Sequence, residues 1–141
     1  MSISNAELSN TPLSLTAPLD IDFRNHVTIP NTGMTSDPLD LGGFQITGII
    51  TPAGWTAADL CFQISNDSTS FYSLFTTAGE VKIPSASIPT GGGQHYIALD
   101  PAIFQGIRFI LLASGIEGAR VAQGADRIIY VVTRPRGSYL K

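Results

Sequence analysis

The sequence holds one cysteine, two histidines, one tryptophan and few charges. A lone Cys61 excludes an internal disulfide, so a secreted scaffold stapled by disulfides is not expected. His26 and His95 each lack a His or Glu four residues on, which removes the common helical metal motifs. The longest largely apolar runs, 107–113 and 128–132, are too short to cross a bilayer as helices. The opening residues lack the basic and apolar blocks of a secretory signal, so synthesis and folding in a cytosol are expected. Charged residues make up 13% of the chain, about half the usual share. Such a chain is expected to hide surface against neighbours, although small β-proteins rich in Ser and Thr share the trait.

The charges that exist are unevenly placed. Residues 1–119 carry three basic and ten acidic groups, whereas 120–141 carry five basic groups and one acidic group. This polarity suits subunit-to-subunit electrostatics. Five basic groups without interleaved aromatics do not make a nucleic-acid surface, and none is expected.

What the chain does have is period-two alternation. Leu60, Phe62 and Ile64 alternate with Cys61, Gln63 and Ser65, the mark of a strand with one buried face. Cys61 is therefore expected on the opposite face. Ser65-Asn66-Asp67-Ser68 supplies turn chemistry, and an aromatic run follows from Phe71 to Phe75. Similar strand signals occur at 19–29, 38–51, 81–83 and 95–99, and the two most apolar strands, 107–113 and 127–133, should be central. Gly42-Gly43 predicts a bulge or bend. Asp100-Pro101 predicts a capped single helical turn. The expectation is one all-β domain, an antiparallel β-sandwich or jelly roll of about eight strands over 19–141. It is preceded by an extended N-terminal arm, 1–18, that cannot bury a core of its own. The arm either grips a neighbouring subunit, which is the preferred reading, or packs on its own domain.

No residue set points to catalysis. Ser114-Gly115 lacks the flanking glycine of a nucleophile elbow. Cys61 would act as a nucleophile only with His95 beside it. Gly91-Gly92-Gly93 leads into a strand without the Lys-Ser or Lys-Thr of a phosphate loop, and reads as a connector. Ser65, Asn66 and Asp67 offer too few oxygens for calcium, and a turn is the simpler reading. Accordingly no catalytic residue, cofactor or metal is assigned. Trp55, Phe71, Tyr72, Phe75 and Tyr96 offer an aromatic platform for sugar stacking, against the usual fate of aromatics as core filling; Trp55 and Tyr72, each beside polar neighbours at a strand end, are the candidates for exposure, with loop 84–94. Arg108, Arg127 and Arg134 alternate with apolar residues, so their heads must leave the core, for an outer face or a subunit seam with carboxylates such as Asp100 or Glu117.

The order of several segments resembles a group of small tailed-bacteriophage virion proteins. They are Asp37-Pro38-Leu39-Asp40-Leu41-Gly42-Gly43, Gly48 to Leu60, Phe62-Gln63-Ile64-Ser65, Tyr96 to Pro101, Gly106-Ile107-Arg108-Phe109 and Ala125-Asp126-Arg127. The likeness covers about 37–134 and leaves the arm outside it. The hairpin at 65–72 is also similar, at the level of fold alone, to that of discoidin-type jelly rolls. The phage resemblance implies a non-enzymatic structural protein of the virion, present in many copies. It would act as head decoration or cement on the major capsid protein and sister subunits. The arm's role does not come from the resemblance but from its lack of a core of its own: Ile3, Leu8, Leu13 and Leu15, with Arg134 and Arg136 near the other end, are the expected contacts. The alternative is a tail, baseplate or fibre component that meets a host-surface glycan through Trp55 and Tyr72.

Overall fold

The computed structural model describes residues 25–135. The arm 1–18, with Ile3, Leu8, Leu13 and Leu15, lies outside the described residues, as does Arg136. The expected all-β antiparallel sandwich is what the described chain forms.

The strands are β1 (His26–Ile29), β2 (Leu39–Asp40), β3 (Phe44–Ile50), β4 (Leu60–Ser65), β5 (Tyr72–Ser73), β6 (Phe75–Thr76), β7 (Gly79–Glu80), β8 (Lys82–Ile83), β9 (Tyr96–Ala98), β10 (Phe109–Ile116), β11 (Ala119–Arg120) and β12 (Arg127–Pro135). Half of them are two-residue segments, which is why the number exceeds the eight or so expected. Sheet one has the order β9-β3-β12-β1. Sheet two has the order β11-β10-β4-β5, with β2 added beside β10 and β8 beside β4. A separate ribbon pairs β6 with β7. The two most apolar strands, β10 and β12, are interior to their sheets, as their composition predicts. β10 carries β4 on one side; on the other it meets β2, a bridge from Thr35 and then β11.

Alternation explains the layers. Val27, Ile29, Ile46, Ile49, Ile129 and Val131 face inward from sheet one. Leu60, Phe62, Ile110 and Leu112 meet them from sheet two. Burying each such side chain is worth about 1.5–3 kcal/mol relative to leaving it exposed. Phe62 and Phe104 touch edge to face, with ring centroids 5.2 Å apart. Phe104 is delivered by a 3₁₀ turn, Pro101–Phe104, whose N-cap Asp100 accepts from the Ala102 N–H at 3.0 Å. The Gly42-Gly43 bend is also present: Gly42 has φ +54° and Phe44 N–H closes the turn on the Leu41 carbonyl at 2.8 Å.

One irregularity matters for sheet one. The register between β3 and β12 slips after Val132, so Gly48 and Ile46 are partnered and Thr47 is an extra residue. The Thr47 carbonyl then accepts from Leu99 N–H at 3.0 Å and from the Tyr96 hydroxyl at 3.2 Å.

Candidate functional site

Trp55 corrects the sugar-stacking expectation. It is 1% exposed, belongs to the core and donates its indole N–H to the Ala58 carbonyl at 2.9 Å. A ring held there presents no face to a ligand. Tyr72 does lie at the surface, 66% exposed, on the short strand β5. It lines a hollow of about 290 Å³ with Ile64, Ser65, Asn66, Asp67 and Ser70. Trp55 and Tyr72 are therefore not brought together, because one fills the core and the other stands on sheet two.

The polar residues of that hairpin are committed to the turn. Asp67 Oδ1 accepts from Ser65 Oγ, Thr69 N and Ser70 N at 2.8–2.9 Å. The backbone donors of Ser70 and Thr69, followed by the Ser65 hydroxyl, hold the Asp67 carboxyl below its ordinary value. Asn66 Oδ1 accepts from Arg108 N at 3.0 Å.

A glutamine links loops that are distant in sequence. Gln123 is 1% exposed. Its Oε1 accepts from Thr56 N at 2.9 Å and Arg127 Nε at 3.0 Å, and its Nε2 donates to Ser114 Oγ at 2.8 Å and Thr56 O at 3.1 Å. Its backbone pairs with Thr32 and Gly33. Every polar atom of this buried amide is satisfied, which is what permits its burial. Nothing local in the sequence singles out Gln123, because its partners lie in distant loops.

Cys61 occupies the face the alternation predicts, yet it is fully buried there. Glu80 of β7 and Arg120 of β11 lie against it. Glu80 Oε1 accepts from Glu117 N at 3.1 Å, while Oε2 sits 3.8 Å from Arg120 Nη1 and accepts no hydrogen bond. Arg120 also donates to the Gly115 carbonyl and to Ser73 Oγ. Burial first, then the Glu80 carboxylate, push the Cys61 thiol up to about 12. The thiolate is the reactive form, so the folded protein should leave Cys61 unmodified by a disulfide reagent at about pH 8 and react fully once unfolded. Rapid labelling of the native protein would contradict this environment. His95 belongs to the approach to β9 on sheet one and does not meet Cys61; its backbone pairs with Thr51.

Arg108 and Arg134 leave the core as expected, though not for Asp100 or Glu117, whereas Arg127 stays part-buried. Arg108 forms an exposed two-pronged pair with Asp40, both contacts at 3.2 Å, and lies over the Phe109 ring. Arg127 serves Gln123, Thr56 and the Ala53 carbonyl. Arg134 is exposed and reaches Gln45 at 3.4 Å.

The outward face of sheet one carries a row of side chains aligned by strand registry. Tyr96 lies across from Ile50, Ile50 across from Tyr130, and Tyr130 across from His26. Their chain neighbours Ile49, Ile129, Val131 and Val27 point into the core, so this row points out. Ile128, beside Thr28, extends it, and Ile128 is 45% exposed. The Tyr96 ring fills the space a side chain would take at Gly48, where a Cβ would lie 2.5 Å from the hydroxyl oxygen. Tyr130 and His26 stack obliquely, with centroids 5.8 Å apart. Next to the row a hollow of about 300 Å³ is lined by Ala53, Gln94, Asp126, Ile128 and Tyr130. The row joins four strands far apart in sequence, so no local pattern announces it. Among the described residues, no group of three or more His, Cys, Asp or Glu is placed to hold a metal ion.

No family model, curated protein or solved structure matches this chain.

Proposed function

We propose that this chain is a structural protein of a tailed-phage-type virion, without catalytic activity. In that role it decorates or cements the shell by binding the major capsid protein and sister copies. The observation that carries the reading is the surface of a sparsely charged sandwich. Met34, Phe44, Tyr72, Phe75 and Ile116 are all large apolar or aromatic residues at 38% exposure or more. Single exposed apolar residues are ordinary, but their number on a domain with 13% charge favours a chain that works in company. The order of segments, in its resemblance to that of small phage virion proteins, supports the same reading.

In this scheme the sandwich is the rigid body and the arm 1–18 the clamp. A specific contact needs about 1,600 Å² of total buried surface, and repetition over a shell multiplies a modest affinity. Ile3, Leu8, Leu13 and Leu15 would supply apolar anchors, and Arg134 and Arg136 the charged ones. Full-length protein and a form lacking residues 1–18 should be mixed with particles that lack the protein and then sedimented. The full chain should pellet with the particles. The truncated chain should keep its thermal midpoint and remain in the supernatant. Equal pelleting by the folded truncated form would remove the arm from the scheme.

A further inference from the structure

We propose that the outward face of sheet one binds a neutral, extended glycan, with Tyr130 and Tyr96 as stacking rings and Gln94 and Asp126 as rim partners for sugar hydroxyls. This goes beyond the assembly role and stands whether the protein sits on a head or a tail.

The argument begins with rigidity. Strands lie about 4.8 Å apart, so Tyr96 and Tyr130, two strands apart, sit about 10 Å from each other across one row. Neither ring is a loose surface group. The Tyr96 hydroxyl is anchored on the Thr47 carbonyl and its ring occupies the Gly48 gap. Tyr130 leans on His26 from one side and is flanked by Ile50 on the other. Preorganised rings lose little conformational freedom on binding.

The second element is charge. Tyr96, Ile50, Tyr130 and Ile128 carry none at neutral pH, and neither do Ala98, Gly48 and Thr28 around them; the ionisable groups stand at the margins, His26 on β1 and Asp126 in the hollow. A face of that kind does not select a phosphate, a nucleic acid or a charged peptide. Its complement is a neutral ligand with apolar C–H faces and a polar perimeter, which is the chemistry of a pyranose chain. The third element is the hollow beside the row. Gln94 Nε2 donates to the Thr51 carbonyl and Asp126 Oδ1 accepts from Asn31 N–H, and among the described residues no donor reaches Gln94 Oε1 or Asp126 Oδ2. Both residues line the open hollow of about 300 Å³ together with Ile128 and Tyr130. Apolar walls with a few fixed polar atoms are what a small-ligand site requires. A straight row of rings further selects a flat, β-1,4-linked hexose chain over a branched or helical one.

The test is a nuclear magnetic resonance titration of the full chain with cellohexaose and with chitohexaose, each to about 5 mM, a range suited to millimolar affinity. Saturable shifts should appear at Ile50, Tyr96, Ile128 and Tyr130 with at least one of them, and not at Tyr72 or Phe75. Tyr130→Ala should weaken binding about tenfold, the scale of one lost ring stack, while Tyr130→Phe retains it. Ile128→Lys, at an exposed position, should block the hollow and serves as a second variant if Tyr130→Ala lowers stability. The proposal is overturned if neither sugar shifts this row, if shifts localise to Tyr72 instead, or if folded Tyr130→Ala and Ile128→Lys bind as the parent does. It is equally overturned if the row proves to be covered by a second copy in solution.

Discussion

Trp55→Ala should lower the free energy of unfolding by about 4 kcal/mol, the usual cost of deleting a large buried aromatic. For a domain of this size that corresponds to a thermal midpoint about 15 °C lower. Two contributions add. The ring's apolar contacts with the core are lost and a cavity remains. The Ala58 carbonyl also loses the indole N–H that now satisfies it at 2.9 Å. Tyr72→Ala gives the comparison: at 66% exposure it should change stability by no more than about 0.5 kcal/mol. Thermal or urea unfolding of the two variants decides the matter. Similar midpoints would mean that Trp55 is not the core residue described above.

Gln123→Leu should cost about 3 kcal/mol although leucine is of similar size and more apolar. The substitution strands the buried Ser114 Oγ and the part-buried Thr56 N–H and carbonyl, and it takes away the acceptor of Arg127 Nε. Each unsatisfied buried group costs about 1–3 kcal/mol, which outweighs the gain from burying a more apolar side chain. The backbone links of Gln123 to Thr32 and Gly33 do not depend on the side chain, so the loop should remain closed. Hydrogen exchange should then show accelerated opening at Thr56 and Arg127 while β4 and β10 stay protected. A neutral effect on stability would contradict the network.

The contrast between these two residues shows what a linear sequence reveals. Alternation at Leu60, Phe62 and Ile64 placed a strand and its buried face, because a strand's period is a property of adjacent residues. It also placed Cys61 on the other face. It did not reveal the cover over Cys61, because Glu80 and Arg120 arrive from segments 19 and 59 residues away. Trp55, between Gly54 and Thr56, has the polar surroundings of an exposed ring. Its burial follows from the way its turn folds under the sheets, with the indole N–H satisfied by its own loop. Gln123 lies among small residues and shows no period at all. The row Tyr96, Ile50, Tyr130 and His26 exists only through registry between strands, and registry between distant strands is set by the whole fold. Elements set by neighbours in sequence were legible; sites assembled across the sheets were not.

The most direct measurement of the proposed role is the protein content of purified virions from cells that carry this sequence. Quantitative mass spectrometry should find the 14.9 kDa chain in the particles, at a copy number in simple proportion to the major capsid protein. Its presence only in the soluble lysate, with washed particles free of it, would contradict a structural place in the virion.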